Sequence, residues 1–288
     1  MRALLILLLL AGCGARAPAV VPQPDETLSR HLRAGRLALD AGRFEESARQ
    51  YGDALRRARE RDAAEDIADA ATGRTAALLG QGDAAAARDQ AATITEDLAR
   101  RGAAPSPALR LAEATARYRL GDLDGALPLL LTLRASSDRD AVLRAAFIEG
   151  LIADARRDGA GLSAARARLG TPQAFNFRAD ALELEARLAL LGRDAVLAIT
   201  RAEGAAALRR DALDYRGLSR ALEVAADAAR LAGQPQREAD FARRAAQGAA
   251  SRGDKPAARR LFTRAREATT EPGLRAAITR DMSALEAR

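Results

Sequence analysis

Glycine recurs along this chain at a nearly constant interval. Gly42, Gly82 and Gly121 lie 40 and 39 residues apart, each between two Ala/Leu/Arg-rich stretches. Glycine adopts positive φ without steric cost, so such positions read as turns between helices. Gly192, Gly233 and Gly253 stand in the same setting. Helical stretches of about 12 to 20 residues, paired at about 34 to 41 residues per pair, cannot bury their apolar faces within one pair. Successive pairs must stack. The expected fold is therefore an all-α solenoid of about seven helical hairpins spanning residues 26–288, with a closing helix from about Pro272 to Glu286 as a cap. Composition agrees, because the dominant Ala, Leu and Arg are strong helix formers and aromatics make up only 3% of the chain.

The clearest unit is Leu28 to Arg61, LSRHLRAGRLALDAGRFEESARQYGDALRRARER. Gly35 falls where two helices would cross, and Gly42 at the turn between them. Phe44, Ser47, Tyr51, Ala54 and Leu55 then give an aromatic, a small residue, a second aromatic and Ala-Leu. Small residues permit close helix approach, while Phe44 and Tyr51 share a face that fills the gap between hairpins. This unit closely resembles a tetratricopeptide (TPR) repeat. Weaker copies follow: Gly82 with Ala87, Gly121 with Leu123, Ala126 and Leu130, and Gly253 with Ala258, Phe262 and Ala265. Pro128 is expected in a first helical turn, where N–H groups lack partners. Gly150 takes a crossing position in Ala141–Arg157, followed by a looser turn at Asp158 to Gly161.

The N-terminus reads differently. Arg2 precedes a ten-residue apolar run, Ala3 to Gly12, half the roughly 20 residues a spanning helix needs. A basic start, a short Leu core and small residues at its end make a signal peptide, residues 1–12. Leu10-Ala11-Gly12-Cys13 resembles the lipobox of bacterial lipoproteins, and Cys13 is the only cysteine. That resemblance implies cleavage before Cys13 and acylation of it. Gly14 in place of Asp implies sorting to the outer membrane, with the protein facing the periplasm. Several acyl chains hold a protein durably where one is marginal. Residues 13–25 contain three prolines and no helical period, as a tether would.

No catalytic constellation is present. His31 is the only histidine, which excludes metal sites built on several histidines and any two-histidine relay; no Walker loop or nucleophile elbow occurs. Neither an enzyme, a cofactor, a metal nor a small-molecule substrate is expected. The net charge is +7 and Lys255 is the sole lysine. Arginine pairs such as Arg56-Arg57, Arg100-Arg101, Arg209-Arg210 and Arg243-Arg244 are spread along the chain, read as solvated faces, and form no aromatic-studded strip of the kind that binds nucleic acid. What remains is the concave face, which in TPR proteins is lined by the first helix of each pair and holds extended or helical peptides. Carrying those positions over gives Arg36 and Leu39, then Thr115, Tyr118 and Arg119, then Arg220, Glu223, Asp227 and Arg230. Tyr118 beside Arg119 combines the residue types enriched at binding hot spots. Chaperone-type clamps for a peptide's terminal carboxylate use asparagines, and the single one here, Asn176, lies outside the expected positions. The sequence thus points to a lipid-anchored scaffold for an envelope protein; a binder of anionic envelope polymer such as peptidoglycan, or an adaptor of peptidoglycan enzymes, is the alternative.

Overall fold

Aspartate, more than glycine, sets where the helices begin. The computed structural model describes residues 25–287; the signal segment, Cys13 and all of the tether but its last residue lie outside the described residues. Fourteen helices occupy them: α1 Glu26–Asp40, α2 Phe44–Glu60, α3 Ala64–Gln81, α4 Ala84–Arg100, α5 Pro107–Arg119, α6 Leu123–Leu133, α7 Arg139–Ala155, α8 Gly159–Leu169, α9 Phe175–Leu191, α10 Ala195–Asp211, α11 Tyr215–Leu231, α12 Pro235–Ser251, α13 Lys255–Ala268 and α14 Pro272–Glu286. Asp83, Asp122, Asp158, Asp194, Asp214 and Asp254 each cap a helix by accepting from the N–H three residues on, a contact that contributes about 1 kcal/mol. In each of these turns the residue before the aspartate has positive φ: Gly82, Gly121, Arg157, Arg193, Leu213 or Gly253.

Three expected turns need correction on this basis. Gly192 has φ −77°, and Arg193 beside it takes the left-handed position at φ 60°. Arg157 does the same at φ 56°, so the turn expected to be loose is tight, with α8 already under way at Gly159. Gly253 joins α12 to α13 and hence two successive pairs, so α13 opens the seventh pair and the capping helix α14 completes it. Pro128 is a fourth correction. It is the sixth residue of α6 and so removes one internal bond, to the carbonyl of Asp124; both residues lie on the exposed side of the helix.

Each helix packs on the next in the chain. In addition α1, α3, α5, α7 and α9 each touch the next odd-numbered helix, whereas no even-numbered helix meets another until α12 and α14. The row whose members touch is the inner side of a curve, so the odd helices line the concave face. Tyr51 shows how the sequence sets this packing. Its ring is 4% exposed and lies between Gly35 of α1 and Gly73 of α3, where any Cβ would collide with it. Ser47 Oγ donates to the Gly35 carbonyl at 2.9 Å, and Phe44 packs on Gly80 in the same way. The two aromatics fill the seam between the first two hairpins, as their spacing predicts.

Candidate functional site

Along the concave face, α11 connects two grooves through a buried charge network. Glu183 of α9 has no exposed surface. It accepts from Arg220 Nε at 2.6 Å and Nη2 at 2.9 Å, and from Arg187 Nη2 at 3.0 Å. Arg187 in turn reaches Asp154 at 2.5 Å. Behind it, Arg209 pairs with buried Asp180 and with Asp214 at 3.0 Å, and both Arg209 and Arg220 stand over the Phe147 ring, at 5.8 and 5.0 Å. Burial pushes the Glu183 carboxyl up, but Arg220 and Arg187 outweigh it and hold it at about 2. For Asp180 burial wins, and its carboxyl is raised. Arg209 is thus no solvated-face residue, unlike the Arg56-Arg57 and Arg100-Arg101 pairs, which are exposed.

The larger groove, about 660 Å³, crosses the C-terminal ends of three successive inner helices, α7, α9 and α11. Leu190, Leu191 and Leu231 provide apolar lining, and Arg157, Arg193 and Arg230 are exposed along it. The second, about 520 Å³, lies at the N-terminal end of α11, where the curve of the solenoid brings α2, α3 and α5 opposite the α10–α11 turn, the start of α11 and the end of α12. Long side chains span the gap, with no helix of one set packed on the other.

The residues named from sequence divide between these places. Arg119 lines the second groove and Asp227 and Arg230 the first, while Arg220 lies between them in the network. Arg119, at the C-terminal end of α5, keeps access to solvent in a setting crowded by protein and donates to the Leu79 carbonyl at 2.6 Å. Tyr118 is half-buried and packs on the cores to either side of α7; burial pushes its phenol up. Thr115 Oγ1 donates to Leu111 of its own helix. Glu223 and Asp227 are held by Arg260 and Arg264 of α13 at 2.9 and 2.8 Å. Arg36 is exposed on α1 and Leu39 half-buried, and neither lines either groove. His31 Nδ1 is 2.9 Å from Gln50 Oε1.

Glu183, Arg187, Arg157 and Arg193 are absent from the sequence-derived set. A repeat-length search for opposite charges finds part of them: Arg220 lies 37 residues after Glu183, and Arg187 lies 33 after Asp154.

A tetratricopeptide repeat protein from Parabacteroides merdae superposes with a TM-score of 0.51 over 91% of this chain and 100% of its own, at 14% identity. This chain is a TPR-like α-solenoid. The TPR2AB domain of yeast Sti1, in a complex with pHSP90, aligns over 84% of this chain and 98% of its own at 16% identity, but its TM-score of 0.36 is too low to bear on the argument. No family model and no curated protein matches the TPR-like chain in sequence.

Proposed function

We propose that this TPR-like chain is a non-enzymatic scaffold, tethered by acyl chains on Cys13 to the inner leaflet of the outer membrane. Its concave face reaches into the periplasm and holds an extended or helical segment of an envelope protein, assisting assembly of an envelope complex. The observation that carries this reading is the larger groove. It crosses α7, α9 and α11, so a bound segment is read by several pairs at once, as solenoids read their ligands. Leucines supply apolar contact there and exposed arginines supply charge. Since no described helix is long and apolar enough to cross a membrane, attachment in this reading rests on the N-terminal segment.

The second reading, binding of an anionic envelope polymer, draws on Arg157 and Arg193, which have no ion-pair partner among the described residues. Salt separates the two. Exposed charges are screened beyond a Debye length of about 3 Å at 1 M. Capture of one envelope protein that survives 1 M salt supports the scaffold; retention on peptidoglycan that washes off at that salt supports the polymer. Mass spectrometry of the same protein, purified from its native envelope, should begin at acylated Cys13, and a free thiol there would remove the anchor.

A further inference from the structure

The second groove concentrates positive charge with no carboxylate free to balance it. Arg119 comes from α5, Arg216 from α11 and Arg252 from the C-terminal cap of α12, and all three line the same cavity of about 520 Å³. Asp214 is the only acid in that lining, and it is already engaged, accepting from Arg209 Nη1 at 3.0 Å and from the Gly217 N–H at 2.9 Å. Arg119 and Arg252 are steadied by carbonyls alone, Leu79 for the first, Tyr215 and Gly248 for the second. Arg252 Nε is buried without a partner. Arg216 has no ion pair among the described residues, and its Nη2 stands 3.8 Å from where a Cβ would sit on Gly82, across the gap. Burial and the neighbouring Arg216 and Arg220 push the Arg119 guanidinium down to about 10, and burial with Arg216 lowers Arg252. Like charges crowded by the fold are relieved by an anion, and charge-assisted bonds to one are the strong kind.

The walls say what carries that anion. Leu213 and Tyr215 are 70% and 46% exposed and face the same space with Phe44. The site lies between two edges of the solenoid, where the ends of α3 and α5 face the start of α11 and the end of α12, a gap that admits a single chain. We propose that Arg119, Arg216 and Arg252 form a subsite for an acidic side chain of an extended peptide, whose adjoining apolar side chain packs against Leu213 and Tyr215. This deepens the scaffold reading and rests on it.

The test uses the full chain and two fluorescein-labelled, terminally blocked peptides, one alternating Leu and Glu, the other Leu and Gln. Arg216→Gln is the variant of choice, because Arg216 has no internal partner to lose; its thermal midpoint should equal or exceed that of the wild type. The Glu peptide should bind the wild type at least about tenfold more tightly than the Gln peptide, the effect of one charge-assisted bond, and Arg216→Gln should erase that preference. Equal binding of both peptides, or a preference untouched by Arg216→Gln, overturns the acidic subsite and leaves the scaffold function standing. Binding of neither peptide overturns the subsite as well, and the scaffold is then judged by its capture of an envelope protein.

Discussion

Glu183→Gln should destabilise the centre of the solenoid by about 3 kcal/mol at pH 7. Gln keeps the shape but offers one neutral acceptor to Arg220 and Arg187, which now meet a uniformly charged acid at 2.6 to 3.0 Å. Removing one partner of a buried ion pair costs about 3–5 kcal/mol. Titration gives a similar figure. Holding the Glu183 carboxyl at about 2 against an ordinary 4.5 corresponds to about 3 kcal/mol of linked stability. Because the folded value lies below the unfolded one, that stability is complete above about 4.5 and lost as pH falls toward about 2, with about 2 kcal/mol gone by pH 3. Asp180 runs the opposite way, its raised carboxyl favouring the folded state on acidification, so only the difference between variant and wild type isolates Glu183. Urea unfolding followed by circular dichroism supplies the free energies, and hydrogen exchange at α9 and α11 shows whether the loss is local, as a solenoid permits. A gap below about 0.5 kcal/mol at pH 7, the range of ordinary surface changes, or a gap as wide at pH 3 as at pH 7, would refute the network's role.

Two further outcomes follow from packing and turn geometry. Tyr51→Ala empties the space between Gly35 and Gly73 and should cost about 3–5 kcal/mol, lowering the thermal midpoint clearly; Arg57→Ala on the exposed face should barely move it, and equal small effects would contradict the seam. Gly192→Ala should be tolerated, since its φ is −77° and its nearest neighbours are ordinary contacts at 3.5 Å. Gly233→Ala should cost about 1 kcal/mol, because a Cβ there meets open space but a φ of 68°; the reverse order in urea unfolding would contradict the turn assignment.

The helical pairs and the Tyr51 seam were legible because both rest on short-range pattern: a glycine opposite an aromatic at a fixed offset can be read from residues a few turns apart. Turn positions were only half legible. Glycine is the conspicuous signal, yet the capping aspartate is the commoner element, and Arg157-Asp158, Arg193-Asp194 and Leu213-Asp214 make the turn of Gly82-Asp83 without glycine. The charge network was not legible from amphipathic periodicity. That pattern separates core from surface and says nothing of whether a charged face meets water or another charged face one repeat away. Arg209 and Arg220 therefore looked like surface residues. The second groove lay further out of reach, since Arg119 and Arg216 are brought together by the accumulated curvature of several pairs.

The central claim, that a protein partner lies along the concave face, is tested most directly by placing a photo-crosslinking residue at single positions and irradiating cells of the native host. Arg157, Arg193 and Arg230 are exposed along the inner groove, whereas Thr93 of α4 and Thr200 of α10 are exposed on the outer row. The account predicts one and the same protein joined to all three inner positions and absent from both outer ones. Crosslinks to that protein from Thr93 and Thr200 but from none of the arginine positions would contradict it.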